Sequence, residues 1–173
     1  QKAPDKGLIS AVSAPPAPAG HPRLANQPHE LNPEQQQAVN AIHQAIDAQV
    51  YQGFLLNGVT GSGKTEVYLQ AMQRVLEQGK QVLILVPEIG LTPQTRRRFS
   101  ERFVANLVML HSGLNDTIRL AGWQACRDGS AQIIIGTRST VLYAFANLGL
   151  IIVDEAHDGS YKQQDSLRYQ ATD

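Results

Sequence analysis

Two short stretches of this 173-residue chain hold side chains whose types and spacing could do phosphate chemistry. The first is Gly58-Val59-Thr60-Gly61-Ser62-Gly63-Lys64-Thr65, which fits the spacing G-x-x-x-x-G-K-S/T. Glycines let a backbone curl until successive N–H groups face inward. A helix starting just after them aims its partial positive charge at the same point. Lys64 would reach the β and γ phosphates of a nucleotide, and the Thr65 hydroxyl would bind Mg²⁺. The second stretch is Asp154-Glu155, directly after Leu150-Ile151-Ile152-Val153. Asp154 is placed to hold the Mg²⁺ shell, and Glu155 to orient or deprotonate an attacking water. Taken by itself, an acidic pair after a strand reads equally as an ordinary helix start. Beside the loop at 58–65 it reads as the metal carboxylates.

Such a site needs a strand before the loop, a helix after it, and a second strand to carry the acids. The sequence supplies candidates for each. Phe54-Leu55-Leu56 is a short buried-strand run ahead of the loop, and Lys64 to Gln78 has helical spacing at Val67, Ala71 and Val75, with Gly79 as its stop. Val82–Val86, Val108–Leu110, Ile133–Ile135 and Leu150–Val153 read as further strands. Pro93–Phe103 and Asn115–Arg127 read as helices. Asn32-Pro33-Glu34-Gln35 starts an earlier helix, with Asn as N-cap, Pro at the first position and Gln completing a capping box. Near-continuous apolar strands separated by helices predict an α/β fold, a parallel sheet with helices on both faces.

Composition narrows the field. Apolar residues make up 42% of the chain, enough for one core, and 15 Lys+Arg balance 15 Asp+Glu. A net charge of +0 excludes a uniformly basic nucleic-acid coat and a polyanionic tail, but not a local basic strip. Cys126 is the one cysteine, so an intrachain disulfide or a Cys-built zinc site within this sequence is excluded. No apolar run is long enough for a membrane span. Six of the nine prolines fall in residues 1–30, which read as an extended Pro-rich linker, leaving 31–173 as the folded part. The chain starts at Gln1 and stops in mid-pattern at Asp173, so it is expected to be a segment of something longer.

Asp154-Glu155-Ala156-His157 is a DEAH sequence, and with the phosphate loop it resembles superfamily-2 helicases. The resemblance narrows through stretches that follow one another in order. They are Leu31–Val39, Gly58–Tyr68, Val86-Pro87-Glu88-Ile89-Gly90-Leu91-Thr92-Pro93-Gln94, His111–Asn115, Gly136-Thr137-Arg138-Ser139 and Ser160-Tyr161-Lys162-Gln163-Gln164. That series is similar to the primosomal protein N′ (PriA) family of bacterial replication-restart helicases. The Pro-Glu-Ile-Gly-Leu-Thr and Tyr-Lys-Gln-Gln stretches are its more specific parts.

The resemblance implies the first RecA-like lobe of an ATP-dependent 3′-to-5′ DNA helicase, incomplete at its C-terminal end. It implies ATP and Mg²⁺ as cofactors. Zinc is expected only in a cysteine-rich region of the family that these residues do not include. Single-stranded and forked DNA, primosome proteins and single-strand-binding protein are the implied partners. The implied setting is the cytoplasm, without a membrane. The family strand carrying a Ser-Ala-Thr motif would lie between the phosphate-loop strand and the acidic strand, so a gap in the sheet is expected there. The segment by itself is expected to be inactive.

Residue roles follow the same way. Gln35 corresponds to the glutamine that reads the adenine edge, although its capping role competes for the same side chain. Lys64, Asp154, Glu155 and His157 are the implied catalytic set, His157 linking the nucleotide site to DNA. Thr92 and Arg138 correspond to strand-backbone contacts. Tyr161, Lys162, Arg168 and Tyr169 lie in an aromatic-rich loop, where rings stack on bases and cations grip phosphates. Leu167 departs from the tryptophan usual there. Arg96, Arg97, Arg98 and Arg102 form either a grip on a DNA backbone or a solvated face partly paired with Glu101. Other readings are a DEAH translocase of a restriction or repair complex, and a nucleotide- or DNA-binding fragment that hydrolyses nothing by itself.

Overall fold

The computed structural model describes residues 23–24, 29–59 and 61–161. Most of the expected linker, Thr60 of the phosphate loop, and Lys162, Leu167, Arg168 and Tyr169 lie outside the described residues.

The elements run β1 (Arg23–Leu24), α1 (Pro33–Ala48), α2 (Lys64–Glu77), β2 (Gln81–Leu85), α3 (Pro93–Arg102), β3 (Phe103–Val104), β4 (Leu107–Leu110), α4 (Asp116–Asp128), β5 (Ile133–Gly136) and β6 (Leu148–Val153). Short 3₁₀ turns follow β2, β5 and β6, at Glu88–Gly90, Arg138–Leu142 and Gly159–Tyr161. The main sheet has the order β4-β5-β2-β6, and every pairing in it is parallel. The α/β parallel sheet read from the sequence is therefore the fold, with most element ends within two residues of expectation.

Alternation along β2 explains the layers. Val82 and Ile84, with Val86 just beyond the strand, point to a core shared with Leu69, Met72, Val75 and Leu76 of α2 and Phe99 and Phe103 at α3. Leu83 and Leu85 point to the opposite face, where they meet Cys126 of α4, Leu110, Ile134 and Tyr161. A strand buried on both faces favours apolar residues throughout, and the buried Gln81 that opens β2 is accommodated because its amide donates to the Cys126 and Ala131 carbonyls and accepts from the Asn147 N–H. α1 packs outside α2 through Val39, Ile42, Val67 and Ala71. None of the described helices is long and apolar enough to cross a membrane.

One expected strand is absent. Residues 51–59 have no regular structure, and Leu55 is 89% exposed. The reason is pairing. β6 joins only β2, Ile151 on β6 is 46% exposed, and no described strand lies beside Phe54–Leu56. An apolar run with no neighbour to accept its backbone bonds does not form a strand. The gap was expected on this side of β6, and the segment ahead of the phosphate loop is held by Leu56 packing against α1 and α2 in place of strand pairing.

The last part of the expected linker makes fixed contacts. Arg23–Leu24 pairs antiparallel with Leu24 opposite Phe103 and Arg23 opposite Val104. The His29 N–H donates to Glu66 Oε1 at 3.2 Å, and Gln70 Nε2 donates to the His29 carbonyl at 3.3 Å.

Candidate nucleotide and strand site

The sequence places its polar motifs at the carboxyl ends of parallel strands, where open α/β sheets bind ligands. Val86–Thr92 follows β2, Thr137–Ser139 follows β5 and Asp154–Tyr161 follows β6. The phosphate loop closes the group from the start of α2.

Gly61 and Gly63 sit at φ +81° and +80°, which side chains disfavour, so the loop's curl depends on glycine at both. A Cβ at Gly63 would also lie 2.3 Å from Gln35 Nε2. Gly63 is the N-cap of α2 and supplies no side-chain hydrogen bond, so the first turn is left open to an anion. Lys64 Nζ donates to the Gly58 carbonyl and, at 2.9 Å, to the Val59 carbonyl. The ammonium thus folds over its own loop, where phosphate oxygens would compete for it. Gly58, Val59, Gly61, Ser62, Gly63, Lys64 and Thr65 are all together in this turn.

The capping box at α1 forms as expected, with Asn32 Oδ1 accepting from the Gln35 N–H and Gln35 Oε1 accepting from the Asn32 N–H. The structure adds a bond: Gln35 Nε2 donates to the Ser62 carbonyl at 2.9 Å. Gln35 therefore stands at the loop while it caps the helix.

Asp154 continues β6, its N–H donating to the Leu85 carbonyl at 2.9 Å. Asp154 Oδ1 accepts the Glu155 N–H at 3.1 Å. Glu155 has φ +50°, a left-handed backbone that costs a non-glycine residue about 1–2 kcal/mol. Such strain is concentrated where a side chain must be aimed. The turn closes through the Asp158 N–H to the Glu155 carbonyl at 2.8 Å, and His157 stays exposed. The Ser160 side chain and N–H beside Asp158 hold its carboxyl below the usual range.

Tyr68 bonds to Thr65 one helical turn before it. The Tyr68 hydroxyl donates to Thr65 Oγ1 at 3.1 Å, and its pKa is raised, first by burial and also by the charge of Asp154. The donor set is hard oxygen and too small to cage a cation by itself. It fits a magnesium ion brought by phosphate oxygens. Among the described residues, no group of three or more His, Cys, Asp or Glu could hold a metal ion.

Three strand-contact residues are described. Thr92 caps α3, its Oγ1 accepting from the Thr95 N–H at 3.1 Å, a role the sequence reading did not assign to it. Arg138 Nη1 donates to the Ser160 carbonyl at 3.1 Å, tying the turn after β5 to the turn after β6. Tyr161 requires a correction. It was expected to stack on a base, but it is 2% exposed and belongs to the core between β2 and α4. Its hydroxyl lies 3.0 Å from the Leu85 carbonyl and 2.5 Å from the Asp154 carbonyl. Burial, then the neighbouring acids Asp154, Asp158 and Glu155, drive its pKa far up, so it stays a neutral donor. A ring held this way pins the acidic turn to β2 and has no free face for a base.

The four arginines of α3 separate. Arg97 pairs with Glu101 on the solvated face, as one of the two readings held. Arg98 lines a cleft with Pro87, Thr95, Asp154 and Glu155. Arg102 is buried and meets Glu66 through Nη2–Oε1 at 2.9 Å. Arg96 is exposed. The basic strip is thus dispersed. The Glu66–Arg102 pair was missed because its partners are 36 residues apart.

Comparison with known proteins follows this geometry. A family model described as the type III restriction enzyme res subunit matches residues 28–172. Replication restart protein PriA of Haemophilus influenzae is 50% identical over 174 residues, covering 97% of this chain and 24% of that protein. Replication restart protein PriA of Bacillus subtilis is 43% identical over 145 residues, covering 84% of this chain and 18% of that protein. The chain therefore spans a quarter or less of the length of these relatives. A structure of RecG bound to a three-way DNA junction aligns with a TM-score of 0.65 at 27% identity, over 72% of this chain and 18% of RecG. The matched stretch takes in both the phosphate loop and the acidic turn, and the chain belongs to the family of the type III restriction enzyme res subunit.

Proposed function

We propose that the chain is the first motor lobe of an ATP-dependent 3′-to-5′ DNA helicase that assembles the primosome and restarts stalled replication forks in the cytoplasm. One observation supports the reading: Gly61 and Gly63, at φ +81° and +80°, curl the loop into the open first turn of α2, with Lys64 Nζ folded over the loop carbonyls. The names of the relatives at 50% and 43% identity favour restart, whereas the family description favours the second reading, a translocase of a restriction complex.

Bound Mg²⁺ would polarise the transferred phosphoryl group and neutralise its developing charge. The chain's own residues do the rest. The amides at the start of α2 seat phosphate oxygens, and Lys64 leaves the loop carbonyls to pair with them. Thr65 and Asp154 would hold the metal, and Glu155 orients the attacking water. Gln35 uses one amide oxygen lone pair on Asn32 and one N–H on Ser62. One N–H and one lone pair remain, the complement that an adenine edge takes. Arg138, Thr92 and, outside the described residues, Lys162, Arg168 and Tyr169 are proposed to face single-stranded or forked DNA. The segment by itself is proposed to be inactive, because ATP in such motors is held between two lobes. Primosome proteins and single-strand-binding protein, and zinc elsewhere in the longer protein, belong to the same proposal.

The test is steady-state ATPase of the full-length protein with and without single-stranded DNA, for the unmodified protein and Lys64→Ala. Lys64→Ala should lower the rate by at least about a hundredfold, since electrostatic contacts dominate phosphoryl transfer. A rate within twofold of the unmodified protein would overturn the assignment. ATP-driven movement without strand separation would favour the restriction translocase.

A further inference from the structure

The geometry points to Tyr68 as a positioning residue for the magnesium ligand Thr65. The inference rests on the reading of this site as a Mg²⁺–nucleotide site and deepens it.

Tyr68 lies three residues after Thr65, so one helical turn brings its phenol over the threonine hydroxyl. The O–H donates to Thr65 Oγ1 at 3.1 Å. A hydroxyl oxygen has two lone pairs and one hydrogen. With one lone pair fixed by Tyr68, the second is left for a cation and the hydrogen for an acceptor such as a carboxylate. Without the phenol, the Thr65 hydroxyl is free to rotate its hydrogen onto the lone-pair direction the metal needs. The ring is partly buried and packs against the core that α2 shares with β2, which holds the donor in place.

α3 borders the same site. Arg98 lines the cleft that Asp154 and Glu155 also line. The helix is capped by Thr92 at the turn after β2, and its end is fixed by Arg102 to Glu66, the residue that follows Thr65.

Tyr68→Phe removes the hydrogen bond and keeps the ring. In the full-length protein, binding of a fluorescent ADP analogue is followed against Mg²⁺ concentration, with a parallel titration in EDTA and a thermal melt. The Mg²⁺ midpoint should rise about tenfold, the usual size of losing a partner of a metal ligand. Affinity in EDTA and the melting temperature should be unchanged. A midpoint within twofold of the unmodified protein overturns the inference. So does an equal loss of nucleotide affinity with and without Mg²⁺, which would make Tyr68 a packing residue. If the unmodified protein binds the analogue without any Mg²⁺ response, or if Lys64→Ala binds it as well, the site reading itself fails and the inference with it.

Discussion

Replacing Arg102 by methionine tests whether the two helices beside the phosphate loop are joined by charge. Arg102 and Glu66 have side chains only 7% and 12% exposed, with 2.9 Å between Nη2 and Oε1. Methionine keeps most of the buried volume, so little cavity term enters. What changes is that Glu66 keeps its charge in a poorly solvated place. Breaking a buried pair from one side costs about 3–5 kcal/mol. Glu66 Oε1 still accepts from the His29 N–H and from Gln70 Nε2, so the lower end applies, about 3 kcal/mol. Urea denaturation with linear extrapolation measures the loss directly. Glu66→Gln in the Arg102→Met background should recover at least about 1 kcal/mol, because the stranded charge is gone. A loss below about 1 kcal/mol for Arg102→Met, or no recovery in the double variant, would refute the argument that this pair is electrostatically fixed.

Tyr161→Phe should cost about 1–2 kcal/mol, because the Leu85 and Asp154 carbonyls lose a buried donor. Its pKa is raised in the fold, so the unmodified protein keeps this contribution below about pH 10 and loses it as pH rises further. Urea melts between pH 8 and 11 should show a steeper alkaline fall for the unmodified protein than for Tyr161→Phe. Gly63→Ala places a Cβ at φ +80° and 2.3 Å from Gln35 Nε2, so it should cost about 1–2 kcal/mol of stability and weaken nucleotide binding in a fluorescence titration. Asp154→Asn should bind nucleotide less tightly and respond to added Mg²⁺, whereas Glu155→Gln should bind normally and not turn over. Equal Mg²⁺ responses in binding and ATPase assays would argue against that division of roles.

What could be read from the sequence depended on how far each signal reached. Val82–Val86 and Ile133–Ile135 were legible because a strand covered on both faces favours apolar residues, and Leu150–Val153 because its apolar run leads straight into the acidic pair. Asn32 and Gln35 were legible because a capping box is complete within four residues. Phe54–Leu56 has the same apolar character as the true strands but no neighbour across the gap beside β6, and pairing is not written in a local run. Tyr161 failed for a related reason. Among polar residues it reads as a ring free to stack, yet the acidic turn folds back and delivers it under Leu85, 76 residues earlier. Arg102 was closer to legible. It lies three residues after Phe99 and next to Phe103, both buried, so helical arithmetic already put it on the buried stripe. Only its partner was hidden.

Tyr161, Arg102 and Arg138 make their contacts on the nucleotide side or its supports, and the exposed Arg98 lines the cleft beside it. Tyr161 reaches the Asp154 carbonyl, Arg98 the cleft of Asp154 and Glu155, Arg102 the residue after Thr65, and Arg138 the turn that follows His157. A side chain bonded to the backbone of the acidic turn cannot change partner without moving that turn. The Glu155 backbone at φ +50° is the place where such movement has strain to release. Arg138, Tyr161 and Arg102 thus connect the turns after β2, β5 and β6 and the start of α2.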